Sequence, residues 1–466
     1  MSLEGFYLMP HPPIIVAEVG KGEEKKISAT IDSMDRVGRE IAEIGPDTIV
    51  IITPHGTMFN DAIAISFEDE ISGSLSKFAA DTAMSLGIDR QLTGKIFEGA
   101  QNEGIPVVMA TRSLLDQFDT DFELDHGTFI PLHFINHHYQ DYNIVHITYA
   151  PLPDIQLYML GSVINRAVDA LGLKAVIIAS GDLSHRLTKD GPYDYSPDGK
   201  KHDDQLLSLL KGGHVREIFN MDKDVIENAA ECGRKSVLVM LGGLDGTNFQ
   251  GDIYSYEGPF GVGYGVAGLN KEGKTGSLIS ELEEGLVATI DEKSQASDPY
   301  IRLAKESLTT YLYTGAEMQQ LPAYVTDEMR DQRRGVFVTL KRKGELRGCI
   351  GTILPVTDSI ANEIIRNAVE AGMRDPRFYE VDREEVPEIS FSVDVLTEPQ
   401  PTSKDDLDPR VYGIIVKSGS KRGLLLPDLE GVDTVDQQVS IALQKAGIDK
   451  GEDYELSSFK VIRHSE

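Results

Sequence analysis

An α/β N-terminal domain with a central mixed sheet, followed by a smaller α+β domain with an antiparallel sheet, is the fold class this chain predicts. Three observations carry it. The first 270 residues alternate short aliphatic runs with amphipathic stretches, as strands alternate with helices in a layered fold. After the segment "KSQASDP" the texture changes to alternating strands joined by charged or glycine-containing turns. Finally, 466 residues are too many for one ordinary core, so two domains are expected.

Taken in order, strands are predicted at Phe6 to Met9, Thr48 to Thr53, Val107 to Thr111, Ile144 to Tyr149 and Ala175 to Ala179. Between the first two, Ile27, Ile31, Met34, Val37 and Ile41 recur at spacings of three and four, which lays one apolar stripe of a helix on the sheet. After Pro153, the residues Ile155, Met159, Val163 and Ala167 recur at every fourth position, a second helix opened by the proline and closed at "LGLK". The stretch Asn270 to Pro299 opens and closes with small and charged residues and reads as a linker with a short helix. The domains are therefore placed at 1–272 and 297–466, with 273–296 between them. In the second domain "GVFVTLKRKGELRGCIGTI" and "YGIIVKSGSKRGLLLP" read as hairpins, "EISFSVDVLTEP" as a further strand and "SIANEIIRNAVEAGM" as a helix.

Composition excludes several classes of function. A 41% hydrophobic and 26% charged chain is that of a soluble globular protein. No apolar run approaches the roughly 18 to 20 residues that cross a bilayer, and the N-terminus lacks a basic-then-apolar signal pattern. No membrane partner is expected, and a cytoplasmic location is. Two cysteines, Cys232 and Cys349, build neither a disulfide framework nor a zinc ribbon, in keeping with a reducing compartment. A formal charge of −30 argues against non-specific nucleic-acid binding, because a phosphate backbone would be repelled. A homo-oligomer is compatible with all of this.

The chemistry points to histidines. "IVIITPHG" is an aliphatic run that delivers His55 at its end, "AVIIASGDLSH" delivers His185, and "FYLMPHPP" delivers His11. In α/β folds the loops after the carboxyl ends of strands gather distant residues into one crevice, so these three are expected to meet. Two neutral imidazoles and a carboxylate on one face of an ion make the site of many non-haem Fe(II) enzymes. His11 and His55 supply the imidazoles, and "NAAECGRKS" offers Glu231 as third ligand, with Cys232 beside it. His185 then stays free for proton transfer. The remaining histidines (His133, His137, His138, His146, His202, His214 and His464) are read as structural or surface residues, and "FINHHYQ" as an exposed stretch.

The segments "MPHPP", "TPHG", "ELDHGTFIPLHF" and "SGDLSH", in this order over about residues 4 to 270, resemble the class III extradiol dioxygenases of the LigB type. The Memo proteins share that framework, and "ECGRKS" is similar to theirs. The resemblance implies iron on His11 and His55, an acid/base role for His185, and a hydrogen bond from His126 to substrate or oxygen. It implies Fe(II), O₂ and a catechol-like aromatic substrate, with His185 accepting a catechol proton and returning it as the ring opens. The third ligand is a glutamate in the dioxygenases, whereas a cysteine occupies that region in Memo-like relatives. Glu231 is favoured on ligand chemistry, since a hard carboxylate suits Fe(II), while a thiolate at Cys232 would favour zinc or copper. Glu257 in "YSYEGPFG" is the fallback.

In the second domain "LRGCIGTI", "RDPRF" and "GLLLP" resemble the AMMECR-type domain over about residues 297 to 464. The two halves together resemble the fused A components of AmmeMemoRadiSam systems, which implies a radical SAM protein as partner. Cys349 lies between Gly348 and Ile350, where a glycine permits close backbone approach or a bulge that aims the thiol. Arg347 is placed to stabilise a thiolate there. "RDPRF" reads as a charged turn that caps a helix.

Overall fold

A computed structural model of the chain describes residues 2–191, 193–282, 284, 298–429, 431–449 and 451–465. The chain forms two compact units, residues 1–281 and 282–466. Most of the expected linker, residues 283 and 285–297, lies outside the described residues.

Among the described residues the first unit carries ten strands: β1 (Leu3–Met9), β2 (Thr48–Thr53), β3 (Ile63–Ser66), β4 (Glu70–Ser74), β5 (Ala83–Gly87), β6 (Val107–Ala110), β7 (Asn143–Thr148), β8 (Ala175–Ser180), β9 (Thr247–Glu257) and β10 (Tyr264–Lys274). Eight of them form one mixed sheet in the order β6-β3-β7-β2-β8-β1-β10-β9, and β4 pairs with β5 in a separate ribbon. The centre, β7-β2-β8-β1, is parallel. β10 runs antiparallel to β1 and to β9, and β3 runs antiparallel to β7.

Side chains alternate across this sheet with a period of two, which sorts the aliphatic runs into two cores. Leu8, Val50, Ile52, Ile147 and Ile177 face Leu157, Leu160 and Ile164 of the helix Asp154–Leu171. Met9, Ile49, Ile51 and Ile178 face Met34, Val37 and Ile41 of the helix Ser28–Ile44, together with Phe129 and Ile130 of the helix His126–Asn136. β2 is buried along its whole length, as both-face burial of a parallel strand requires.

The second unit holds β11 (Val336–Arg342), β12 (Glu345–Gly351), β13 (Ile389–Leu396), β14 (Gln400–Pro401), β15 (Gly413–Ser418), β16 (Lys421–Leu425), β17 (Glu455–Phe459) and β18 (Val461–Ser465). They make two four-stranded antiparallel sheets, β12-β11-β13-β18 and β14-β17-β15-β16, where one sheet was expected. Helices Pro299–Thr314 and Ile360–Met373 bury Leu303, Leu308, Ile364 and Ala368 against Val338, Leu340, Phe391 and Val393 of the first sheet. Helix Val435–Ala446 covers the second with Val439 and Ala442. Among the described residues no helix is long and apolar enough to cross a membrane.

Candidate metal centre

Parallel register brings three loops to one sheet edge. Met9 pairs with Ser180 and Ile52 with Ala179, so β1, β2 and β8 end side by side. His11 follows β1 by two residues, and Asp182 follows β8 by two. The Asp182 carboxylate accepts the His11 amide at 2.8 Å, which ties these two loops together. His11 Nδ1 bonds Ser180 Oγ at 2.9 Å, leaving Nε2 turned toward the centre. The His55 amide donates to Thr53 Oγ1 at 3.2 Å.

Cys232 reaches the same point from the loop before the helix Arg234–Gly242. Its amide donates to the Asp182 carbonyl at 3.3 Å, and its own carbonyl accepts the Tyr149 hydroxyl at 2.9 Å. Gly181 and Gly233 make this approach feasible, since a Cβ on Gly181 would lie 2.1 Å from Gly233 Cα. The result places Cys232 Sγ 3.7 Å from His11 Nε2. Donor atoms of His11, His55 and Cys232 all lie within 4.8 Å of one another. Donors of an ion in tetrahedral coordination are about 3.5 Å apart, so this set fits a single ion.

Glu231, the expected third ligand, is placed differently. Its carboxylate accepts the Arg234 amide at 2.6 Å and so caps the following helix. Glu257 is also occupied elsewhere, accepting from the amide and hydroxyl of Thr30 at 2.7 Å each. The residue that joins the two histidines is therefore Cys232, the alternative the sequence left beside Glu231.

His126 and His185 complete the constellation. His126 is the first residue of its helix and stacks on His55, with centroids 4.4 Å apart, and its edge meets His11 at 5.4 Å. His185 stacks on Tyr193 at 5.3 Å. Burial drives His55 and His185 down to about 4, helped by His126 at the former and His55 at the latter. Burial also holds His11 and His126 below the usual imidazole range, so the cluster is neutral near pH 7. Burial, with Asp182 and Glu231 nearby, pushes the Cys232 thiol up; a bound cation is what would let it ionise.

Sequence reasoning missed the residues that support this cluster: Thr53, Asp125, His146, Ser180, Asp182 and Tyr149. The signal for three of them was the motif neighbourhood itself: Asp125 in "DH", and Ser180 and Asp182 in "SGD". Ser66 and His146 also line a cavity with Thr57, Thr148 and Glu123 that encloses about 10 Å³, room for roughly one water and no organic ring.

In the second unit, β12 carries a bulge: Leu340 pairs with Gly348 and Lys341 with Leu346, which leaves Arg347 unpaired. The Arg347 guanidinium bonds Glu385 and the carbonyls of Tyr379 and Glu380, at 2.8 to 3.2 Å. It is thus engaged there, and Cys349 Sγ accepts the Thr339 hydroxyl at 3.2 Å. Arg374 ends the helix Ile360–Met373, while Asp375 and Arg377 bond the Cys349 amide and carbonyl at 2.9 and 3.0 Å.

Comparison with known proteins agrees with this two-part architecture. Residues 5–267 match the family described as the catalytic LigB subunit of aromatic ring-opening dioxygenase, and residues 301–465 match AMMECR1. The chain belongs to the LigB family, as a LigB-type domain fused to an AMMECR1 domain. Among its relatives, protein CA_C1420 of Clostridium acetobutylicum is 56% identical over 467 residues, covering 100% of each chain. A Thermotoga maritima protein is 44% identical over 169 residues, 36% of this chain and 97% of its own. Two crystal structures align in part: protein PH0010 of Pyrococcus horikoshii (29% identity, TM-score 0.33, 37% of this chain and 91% of that one) and protein JW3007 of Escherichia coli K12 (14%, 0.37, 50% and 91%).

Proposed function

We propose that the N-terminal unit is a metal-dependent redox module of Memo-like character, its ion held by His11, His55 and Cys232. The observation that carries this reading is the 3.7 Å approach of Cys232 Sγ to His11 Nε2, with Glu231 engaged in capping a helix. A donor set of two imidazoles and one thiolate favours zinc or copper over Fe(II). An ion there would supply Lewis acidity and, if copper or iron, one-electron chemistry. Around it, the chain's own part is to keep the imidazoles neutral by burial, with Ser180 bonded to the His11 ring at Nδ1 and Thr53 bonded to the His55 backbone amide. His185 would accept a proton from a bound substrate hydroxyl and return it, as a neutral imidazole can.

A second reading is Fe(II)-dependent extradiol cleavage of a catechol-like aromatic. It is favoured by His126 and His185, because a pure binding scaffold has no need of two further imidazoles beside its ligands. Under the first reading a radical SAM protein is the proposed partner, and a cytoplasmic location is proposed for both.

Anaerobic loading with Fe(II), Zn(II), Cu(I) or Co(II), followed by oxygen uptake on a panel of catechols, separates the two. A yellow ring-opened product that disappears in His185→Ala supports cleavage. Stoichiometric thiolate-bound metal without uptake on any catechol supports the redox module. No metal bound in any form defeats both.

A further inference from the structure

Asp125 lies at the junction of two of the clustered histidines, and nothing in the family likeness assigns it a task. It is the N-cap of the helix His126–Asn136, with its side chain accepting the Thr128 amide at 3.1 Å. The same Oδ1 accepts the Thr53 hydroxyl at 2.6 Å, and Thr53 Oγ1 in turn accepts the His55 amide at 3.2 Å. Oδ2 accepts the Thr128 hydroxyl at 3.0 Å and meets His146 Nε2 at 3.1 Å. On its far side His146 Nδ1 bonds Ser66 Oγ at 2.8 Å. Both partners of the Asp125–His146 pair are buried, with side chains 7% and 4% exposed.

From this geometry we infer that Asp125, oriented by His146, is a positioning residue that sets the ring placement of His55 and His126 together. Two covalent and hydrogen-bonded paths leave its carboxylate. One runs through Thr53 to the His55 amide, and the other is the peptide bond to His126. Gly127 closes the packing between them: a Cβ there would sit 2.4 Å from Thr53 Oγ1 and 2.8 Å from Asp125 Oδ1. The Gly127 carbonyl also accepts from Ser180 Oγ, the group that bonds His11 Nδ1. Thus the first turn of one helix is connected to His11, His55 and His126.

The series Ser66–His146–Asp125 has the residue order of a hydrolytic triad. Positioning is the better account, because Asp125 is spent on a helix cap and Ser66 is 6% exposed on an interior strand. A comparable cap elsewhere in the unit provides the control. Asp89 caps the helix Arg90–Asn102 and accepts the Thr48 hydroxyl at 2.7 Å, at the opposite end of β2 from Thr53.

The inference rests on the proposed metal centre for its consequence, and its test is designed to read the two separately. Asn is as good an N-cap as Asp, so Asp125→Asn keeps the cap while turning a donor toward His146. In metal-free protein with isotopically labelled histidine, Asp125→Asn should displace the ring signals of His55, His126 and His146. Asp89→Asn should leave them in place. Thr53→Val, a near-isosteric change that cuts only one path, should displace His55 and spare His126, and it serves if Asp125→Asn does not fold. Co(II) titration should then show binding weakened about tenfold in Asp125→Asn, the usual scale for groups that orient ligands. Unmoved His55 and His126 signals in Asp125→Asn, or an unmoved His55 in Thr53→Val, overturn the inference. Failure of the wild-type chain to bind Co(II) defeats the metal reading and leaves the ring-signal test to decide this one.

Discussion

The Cys232 sulfur lies 3.7 Å from His11 Nε2, while the neighbouring Glu231 carboxylate is bonded to the Arg234 amide at 2.6 Å. Adjacent residues therefore have separate tasks, one facing the proposed ion and the other a helix terminus. Cys232→Ala should abolish stoichiometric metal binding. Glu231→Gln should bind within a few-fold of wild type, losing only the charge at a helix cap, a change on the order of 1 kcal/mol in stability. Metal content after dialysis, beside a thermal melt, reads both. The reverse pattern would restore the carboxylate as ligand.

His185 shares the cluster without belonging to the three-donor group. Its imidazole is held neutral by burial and by His55, down to about 4. His185→Ala should leave metal stoichiometry unchanged and lower turnover by about 10²- to 10⁴-fold, the usual contribution of a general acid or base. Loss of the metal in this variant would make His185 a ligand and overturn that division of roles.

How much of this was legible in the residues depends on whether a signal is local. All five strands predicted for the first unit form, because a strand buried on both faces has to be a largely aliphatic run, and β2 and β8 are buried from end to end. The helices through Met34 and Val163 were legible for the same reason, one apolar stripe at helical spacing. β3, β9, β10 and the β4–β5 ribbon were missed. β3 is four residues long, and β9 interleaves polar groups because it is the edge of the sheet. In the sequence the choice between Glu231 and Cys232 turned on ligand hardness; the structure bears on it through a local bond, from the Arg234 amide to the Glu231 carboxylate. Asp125 and His146 could not be paired from sequence, since what joins them is the neighbouring position of β7 and β2.

In the second unit Asp375 accepts from Arg377 Nη2 at 2.6 Å and from the Cys349 amide at 2.9 Å. The guanidinium holds its carboxyl well below the usual carboxylate range. A depressed folded-state pKa stabilises above the unfolded value, about 3.9 for Asp, and that contribution is lost as pH falls below it. Asp375→Asn should therefore be less stable than wild type at pH 7, and the gap should shrink from about pH 4 downward. Urea midpoints by circular dichroism from pH 3 to 7 measure it. A gap that does not change with pH would assign the loss to packing instead.

Cys232 reaches His11 only because the loops after β8 and before the helix Arg234–Gly242 touch backbone to backbone. A Cβ on Gly181 would lie 2.1 Å from Gly233 Cα and 2.9 Å from its nitrogen, positions that no side chain can vacate. A Cβ on Gly233 would meet only the Asp182 carbonyl at 3.0 Å and Gly181 at 3.2 Å, which a few tenths of an ångström of movement relieves. The two alanine variants keep every donor and alter only how closely the thiol approaches. Gly181→Ala should weaken Co(II) binding and diminish its thiolate charge-transfer absorption, by about tenfold or more in affinity. Gly233→Ala should stay much closer to wild type. Equal effects of the two substitutions would mean that general destabilisation, and not displacement of Cys232 from His11, governs the site.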